Sequence, residues 1–132
     1  MRAAGDSENA ALIYDVNNVQ FFIKGAATPG NGIDVADGEW HHVAVTWQSS
    51  DGETNIYVDG VNEYNGTLGA GASVTQGGHL ALGHEQDAVD GAYDPNQRLN
   101  GDLDEVVVFD FVLSEEQVAA HYNALQGDMC DE

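Results

Sequence analysis

The chain has 132 residues, 42% of them hydrophobic, with 23 Asp and Glu against 3 Lys and Arg and a formal net charge of −20. This length sustains one domain, taken as residues 1–132, with a modest core. The charge excludes a nucleic-acid partner, because phosphate binding draws on Lys and Arg, and no run approaches the roughly 20 apolar residues of a membrane span.

Two readings of the acidity stay open. A salt-adapted surface would stay soluble through its carboxylates, or some carboxylates are neutralised by bound cations. Met1-Arg2-Ala3-Ala4 runs straight into Gly5-Asp6-Ser7-Glu8 without the pattern of a signal peptide. Cys130 is the single cysteine, so no internal disulfide can form.

In chain order, Ala10 to Val16 is expected to be a strand, Asn17-Asn18 a tight turn, and Val19 to Gly25 the return. Residues 26–31 read as a loop and Gly32 to Val35 as a short strand. Trp40 to Gln48 alternates, with His41, Val43, Val45 and Trp47 on one face. Thr54 to Val58 follows, then the hairpin signal Asp59-Gly60 and a return over Val61 to Tyr64. The glycine-rich run 66–78 reads as a loop, His79 to Gly83 as a strand, and Leu103 to Phe111 as the last long strand. One helix is expected from Ser114 to Leu125. Ser114 and Gln117 form an S-x-x-Q capping box, Glu115 and Glu116 suit the helix N-terminus, and Gly127 reads as the stop. Many short antiparallel strands and one short C-terminal helix predict an all-β sandwich.

The chemistry concentrates in Gly83 to Gln97, GHEQDAVDGAYDPNQ. Glu85, Asp87, Asp90 and Asp94 stand there with Gln86 and Gln97, and no Lys or Arg lies among them. Carboxylate and amide oxygens are the donors of a hard cation, and Ca²⁺ takes six to eight of them. Zn²⁺ prefers His and Cys, of which only His84 is present here. Mg²⁺ keeps more of its water, so the density of carboxylates favours Ca²⁺, in a pair sharing ligands. The competing reading is a solvated acidic loop. A salt-adapted loop gains nothing from Gln at these positions.

Trp40 to Trp47, Tyr57-Val58-Asp59-Gly60, Leu82-Gly83, Gly101 to Glu105 and Leu113 to Gln117 together resemble the concanavalin A-like and laminin G-like superfamily. The segment E-Q-D…D-x-x-Q followed by G-D-L resembles the pentraxins within it. The resemblance covers about residues 8 to 123. It implies a jelly-roll sandwich and two adjacent Ca²⁺ ions on one face. Carried over by position, Glu85 and Asp87 would bridge both ions and the Gln86 carbonyl would serve the first. Asp94 and Gln97 would hold the second, and Glu8-Asn9 would complete the first site. Tyr14 would pack against a bound ligand, although a half-buried strand tyrosine accounts for it equally well.

Departures stand beside the match. Glu8 replaces the family's Asp, Asp90 stands where Gly is usual, and Ala44 occupies the place of a disulfide cysteine. The family domain also begins several strands earlier, so the chain is expected to lack those N-terminal strands. It is then either a minimal sandwich or is completed by a homo-oligomer or by a strand from a partner chain.

The resemblance implies a recognition or adhesion module binding a phosphorylated small molecule, phosphocholine-like, or a carbohydrate through Ca²⁺, outside the cytoplasm. The alternative is a structural module in which Ca²⁺ holds loops or subunits together. A glycoside hydrolase using Glu85 and Asp87 is weighed and set aside, because the motif lacks a third acid and an aromatic groove. An enzyme is not expected. Trp40, Trp47 and His41-His42 read as packing features, Asp102, Asp104 and Glu105 as a structural turn. Asn65-Gly66-Thr67 is a glycosylation sequon.

Overall fold

The computed structural model describes residues 10–74, 80–88 and 91–130, with the runs 85–88, 91–94 and 127–130 described as backbone. Among the described residues eight strands and one helix are formed, and every strand pairing is antiparallel. β1 (Ala11–Tyr14), β2 (Gln20–Ile23) and β3 (Ala26–Ala27) make the first sheet, in that order. β4 (Val43–Trp47), β5 (Glu53–Val58) and β6 (Val61–Thr67) make the second. β7 (His84–Ala88) and β8 (Gly91–Arg98) form a separate two-stranded sheet, and α1 spans Glu115–Cys130.

The first two sheets pack face to face and define the sandwich. Val19, Phe21, Ile23 and Ile33 from one side meet Ile56 and Leu68 from the other, with Val43, Val45 and Trp47 packed against them. The alternation read along Val43, Val45 and Trp47 therefore does point one face inward. The Trp47 indole N–H donates to the Leu68 carbonyl at 2.8 Å, tying β4 to the chain leaving β6.

The opposite face of the second sheet carries polar groups. Asn55 Oδ1 accepts from Asn62 Nδ2 at 2.9 Å and from Asn65 Nδ2 at 2.7 Å. Two residues three apart share a face here because the β5–β6 register shifts between Ile56 and Tyr57.

Turn chemistry accounts for the two hairpins read from the sequence. Asp59 and Gly60 both take positive φ, 52° and 79°, the pair of values a two-residue hairpin turn needs. In the β1–β2 turn the positive φ falls on Asp15 at 64° rather than on Asn17 or Asn18. Its carboxylate accepts from the Asn17 N–H at 3.1 Å, a local bond that holds this conformation.

The capping box forms in both directions. The Gln117 N–H donates to Ser114 Oγ at 3.2 Å, and the Ser114 N–H donates to Gln117 Oε1 at 2.8 Å. Val118 is fully buried, and a Cβ placed on Gly60 would lie 3.2 Å from the Tyr122 ring, so α1 rests on the β5–β6 turn.

Several expectations are corrected. Ala26-Ala27 is a strand, because it pairs with β2. Gly32 to Val35 is not a strand. Its backbone–backbone bonds are single ones, Val19 N–H to the Ile33 carbonyl and Val35 N–H to the Val16 carbonyl, each 2.8 Å. Residues 80–83 are likewise irregular, and the strand begins at His84 instead; His79 lies outside the described residues. Leu103 to Phe111 forms no ladder, since no described strand lies beside it. The helix passes through Gly127 to Cys130, because glycine inside a helix costs only about 1 kcal/mol and stops it only when a left-handed cap follows.

Candidate metal-binding hairpin

The acidic stretch is a β-hairpin rather than a loop. β7 and β8 pair with Gln86 opposite Tyr93 and Ala88 opposite Gly91, and the register then breaks so that His84 faces Arg98. Between those pairs stands one residue of β7, Glu85, against four of β8, residues 94 to 97. The bulge thus opposes Glu85 with Asp94, Pro95, Asn96 and Gln97. Pro95 has no N–H for a ladder, which suits a bulge. The Leu99 N–H donates to the Gly83 carbonyl at 2.7 Å and closes the hairpin at its base.

The hairpin therefore gathers five of the predicted donor positions. Positions 85, 86 and 87 are consecutive on β7, and positions 94 and 97 bound the bulged run opposite 85. Gln97 is the donor whose side chain is described. Its Oε1 is buried without a hydrogen-bond partner. A buried amide carbonyl left unpaired costs roughly 1–3 kcal/mol, and a hard cation accepts such an oxygen. The donor set and this orphaned atom fit Ca²⁺. Among the described residues no group of three or more His, Cys, Asp or Glu side chains is assembled elsewhere for a metal.

Glu8 and Asn9 lie outside the described residues, as does Asp90. The chain directly after them is fixed, with Ala10 buried and its carbonyl accepting from the Lys24 N–H at 3.3 Å. Tyr14 ends β1, opposite Gln20, and its ring stands edge-on to Phe22 with centroids 6.1 Å apart.

A second polar constellation escaped the sequence reading. His41 Nδ1 lies 2.8 Å from Asp59 Oδ2 and His41 Nε2 lies 2.9 Å from Asp37 Oδ1. Both ring nitrogens can donate only in the imidazolium form. The hydrogen bond to Asp59, then that to Asp37, raises the His41 pKa above its ordinary value, against a smaller effect of burial. The Glu39 N–H and then His41 hold Asp37 below the usual carboxylate range. Asp59 also accepts from the His42 N–H at 2.9 Å. His42 behaves oppositely: burial, then the neighbouring His121, lowers its pKa, and its Nδ1 is buried without a partner. Asp37, His41 and Asp59 are separated by 4 and 18 positions. The His-His pair drew attention by composition, but nothing local in the sequence brings Asp59 to it.

A two-sheet antiparallel sandwich closed by a C-terminal helix, with an oxygen-rich hairpin beside it, is a jelly-roll domain of the concanavalin A-like class. The Pentaxin family model matches residues 2–130, and the chain belongs to that family. It is 38% identical over 122 residues to C-reactive protein 1.1 of Limulus polyphemus, covering 88% of this chain and 50% of that protein. It is 36% identical over 115 residues to a sushi, von Willebrand factor type A, EGF and pentraxin domain-containing protein of Rattus norvegicus, covering 86% of this chain and 3% of that one. Human neuronal pentraxin-2 matches at 38% over 85 residues, 64% of this chain and 20% of that protein. The chain thus spans half of these relatives' length or less. An S-layer domain-containing protein of Clostridium thermocellum (residues 221–444) has a similar fold, with a TM-score of 0.50 and 22% identity, covering 92% of this chain and 66% of that one.

Proposed function

We propose that this pentraxin-family chain is a calcium-dependent recognition module. Glu85, the Gln86 carbonyl, Asp87, Asp94 and Gln97 would hold two Ca²⁺ ions, with Asn9 and Glu8 completing the first. Bound Ca²⁺ would supply positive charge and open coordination positions for the oxygens of a phosphorylated small molecule or a carbohydrate. The observation that carries this reading is the buried, unpaired Gln97 Oε1 at a four-against-one bulge whose other members are mostly oxygen donors. Membership of the pentraxin family supports recognition rather than catalysis. Tyr14, edge-on to Phe22 at the end of β1, would also pack against a bound ligand. Among the described residues no helix is long and apolar enough to cross a membrane. The module works in the extracellular space, where Ca²⁺ is plentiful.

A second reading has its own observation. Among the described residues β7 and β8 pair only with each other, and an isolated two-stranded hairpin is marginal in water. Ca²⁺ would then act structurally, ordering the hairpin or joining subunits. One experiment separates the two. Phosphocholine and a glycan panel are tested by calorimetry with Ca²⁺ and with chelator, alongside sedimentation under both conditions. Ligand binding that requires Ca²⁺ supports recognition. A change of oligomeric state with Ca²⁺, and no ligand binding, supports assembly and refutes the first reading.

A further inference from the structure

The face of the second sheet turned away from the core is built largely of amides and hydroxyls. Thr46, Asn55 and Asn65 stand beside one another on β4, β5 and β6. Tyr57 and Asn62 form the next pair on that face. The register shift between Ile56 and Tyr57 brings Asn62 and Asn65 to the same side. Asn55 and Tyr57, 7% and 4% exposed, form the floor of a groove. Residues 112–115, which lead into α1, line it as well. Its volume is about 630 Å³, within the roughly 300–1,000 Å³ of small-ligand sites.

The amides are held in place. Asn55 Oδ1 accepts from both Asn62 and Asn65, and Asn55 Nδ2 lies 3.4 Å from Thr46 Oγ1. A side-chain amide has two N–H donors and a carbonyl oxygen with two lone pairs. Asn62 and Asn65 each spend one donor on Asn55. Among the described residues neither side chain makes a further hydrogen bond, so each offers one N–H and its oxygen. Charge narrows what can meet them. Asp51, Glu53 and Glu115 line the groove, and no Lys or Arg does. Burial, then the Glu115 carboxylate, raises the Tyr57 pKa, which sets that acid's field at the floor. A phosphate or carboxylate would therefore be repelled. Among the described residues no three His, Cys, Asp or Glu come together for a metal ion. An ammonium group has no acceptor for the Asn N–H groups. A hydroxyl both donates and accepts.

We propose that this groove binds an uncharged saccharide unit through neighbouring hydroxyls, without calcium. Each planar Asn amide suits such a pair: one hydroxyl donates to its oxygen while the next accepts from its N–H. The carboxylates of Glu53 and Asp51 accept from further hydroxyls at the rim. Because Asn55 fixes both amides before the ligand arrives, little side-chain freedom is lost on binding. The groove shares no residue with the hairpin at 84–98, so this inference does not rest on the calcium reading.

The test titrates the isotope-labelled chain in chelator with glucose, galactose, mannose and N-acetylglucosamine, and follows backbone amide shifts by NMR. Glucose 6-phosphate and putrescine serve as the anionic and cationic probes. At least one neutral sugar is expected to give saturable shifts at β5, β6 and residues 112–115. Glucose 6-phosphate and putrescine should give little. The Asn62→Ala/Asn65→Ala variant should bind that sugar about tenfold or more weakly, through the loss of two hydrogen-bonding amides. Should that variant fail to fold, Glu53→Lys at an exposed position is the second reading. It should weaken the neutral sugar and narrow the discrimination against glucose 6-phosphate. No shift with any of the four sugars overturns the proposal. So do shifts that need Ca²⁺ and fall at residues 84–98, or sugar binding unchanged in the variants. Binding of glucose 6-phosphate or putrescine as tight as that of the sugars overturns it too.

Discussion

Two adjacent histidines carry opposite protonation preferences. His41 is held between Asp59 and Asp37, which raise its pKa, whereas burial and His121 depress that of His42. The signs follow from linkage. The His41 contribution is fully present below its unfolded value near 6.5 and is lost as pH rises through its raised folded pKa. The His42 contribution is present above that unfolded value and is lost as pH falls through its depressed folded pKa. Asp37, held low by the Glu39 N–H and by His41, contributes above its own unfolded value and loses this only in acid. The two histidines therefore oppose each other near neutrality. In His41→Gln, stability should rise with pH between about 5.5 and 8, the range in which His titrates. In His42→Phe, stability should fall over the same range. Urea midpoints at several pH values read both, and parallel profiles in the two variants would remove this account.

Gln97 gives a second prediction at this scale. Its buried Oε1 has no partner. Replacing Gln97 by Leu removes an unsatisfied polar atom, so in chelator the melting temperature should hold or rise. With Ca²⁺ the variant should lose part of the parent's gain. That gain is about 2.7 kcal/mol for one site at a hundredfold excess over Kd. An equal calcium-dependent gain in parent and variant would remove Gln97 from the ligand set.

At the scale of elements, the reciprocal Ser114–Gln117 cap fixes where α1 begins. Ser114→Ala should cost about 1 kcal/mol, read as a lower urea midpoint with unchanged slope. Asn55→Ala leaves two amide donors of β6 without their shared acceptor and should cost about 1–3 kcal/mol. These elements differ in how readily sequence reveals them. The β5–β6 hairpin is written in two adjacent residues, Asp59-Gly60, whose positive φ values need no distant partner. The helix start is written in four. Leu103 to Phe111 has strand composition, yet pairing is a property of a neighbour as well as of the segment. The donors at 85 to 97 are legible as chemistry, but the bulge that brings 94 to 97 opposite 85 is not. In a mostly polar run no hydrophobic alternation sets the register. The meeting of Asn62 and Asn65 at Asn55 is hidden likewise, since the register shift between Ile56 and Tyr57 creates it.

For the whole molecule, charge governs the response to solvent. At −20, with only three basic residues, the folded chain repels itself, and salt screens that repulsion within about 10 Å at 0.1 M. The melting temperature should rise with NaCl between 0.05 and 1 M, as differential scanning calorimetry can show. Bound Ca²⁺ would flatten that dependence, because ions held within the hairpin neutralise the densest acids. A salt response identical with Ca²⁺ and with chelator would mean that surface repulsion alone is being screened.

The crowded oxygens of residues 85 to 97 are proposed to hold calcium. Isothermal calorimetry on chelator-treated chain, titrated with CaCl₂ at low and high NaCl beside Asp87→Asn, tests it most directly. Two saturable sites are expected that persist in high salt and are lost or sharply weakened in Asp87→Asn. A diffuse heat that salt suppresses, equal in parent and variant, would contradict it and leave the hairpin as an acidic surface of a pentraxin-family fold.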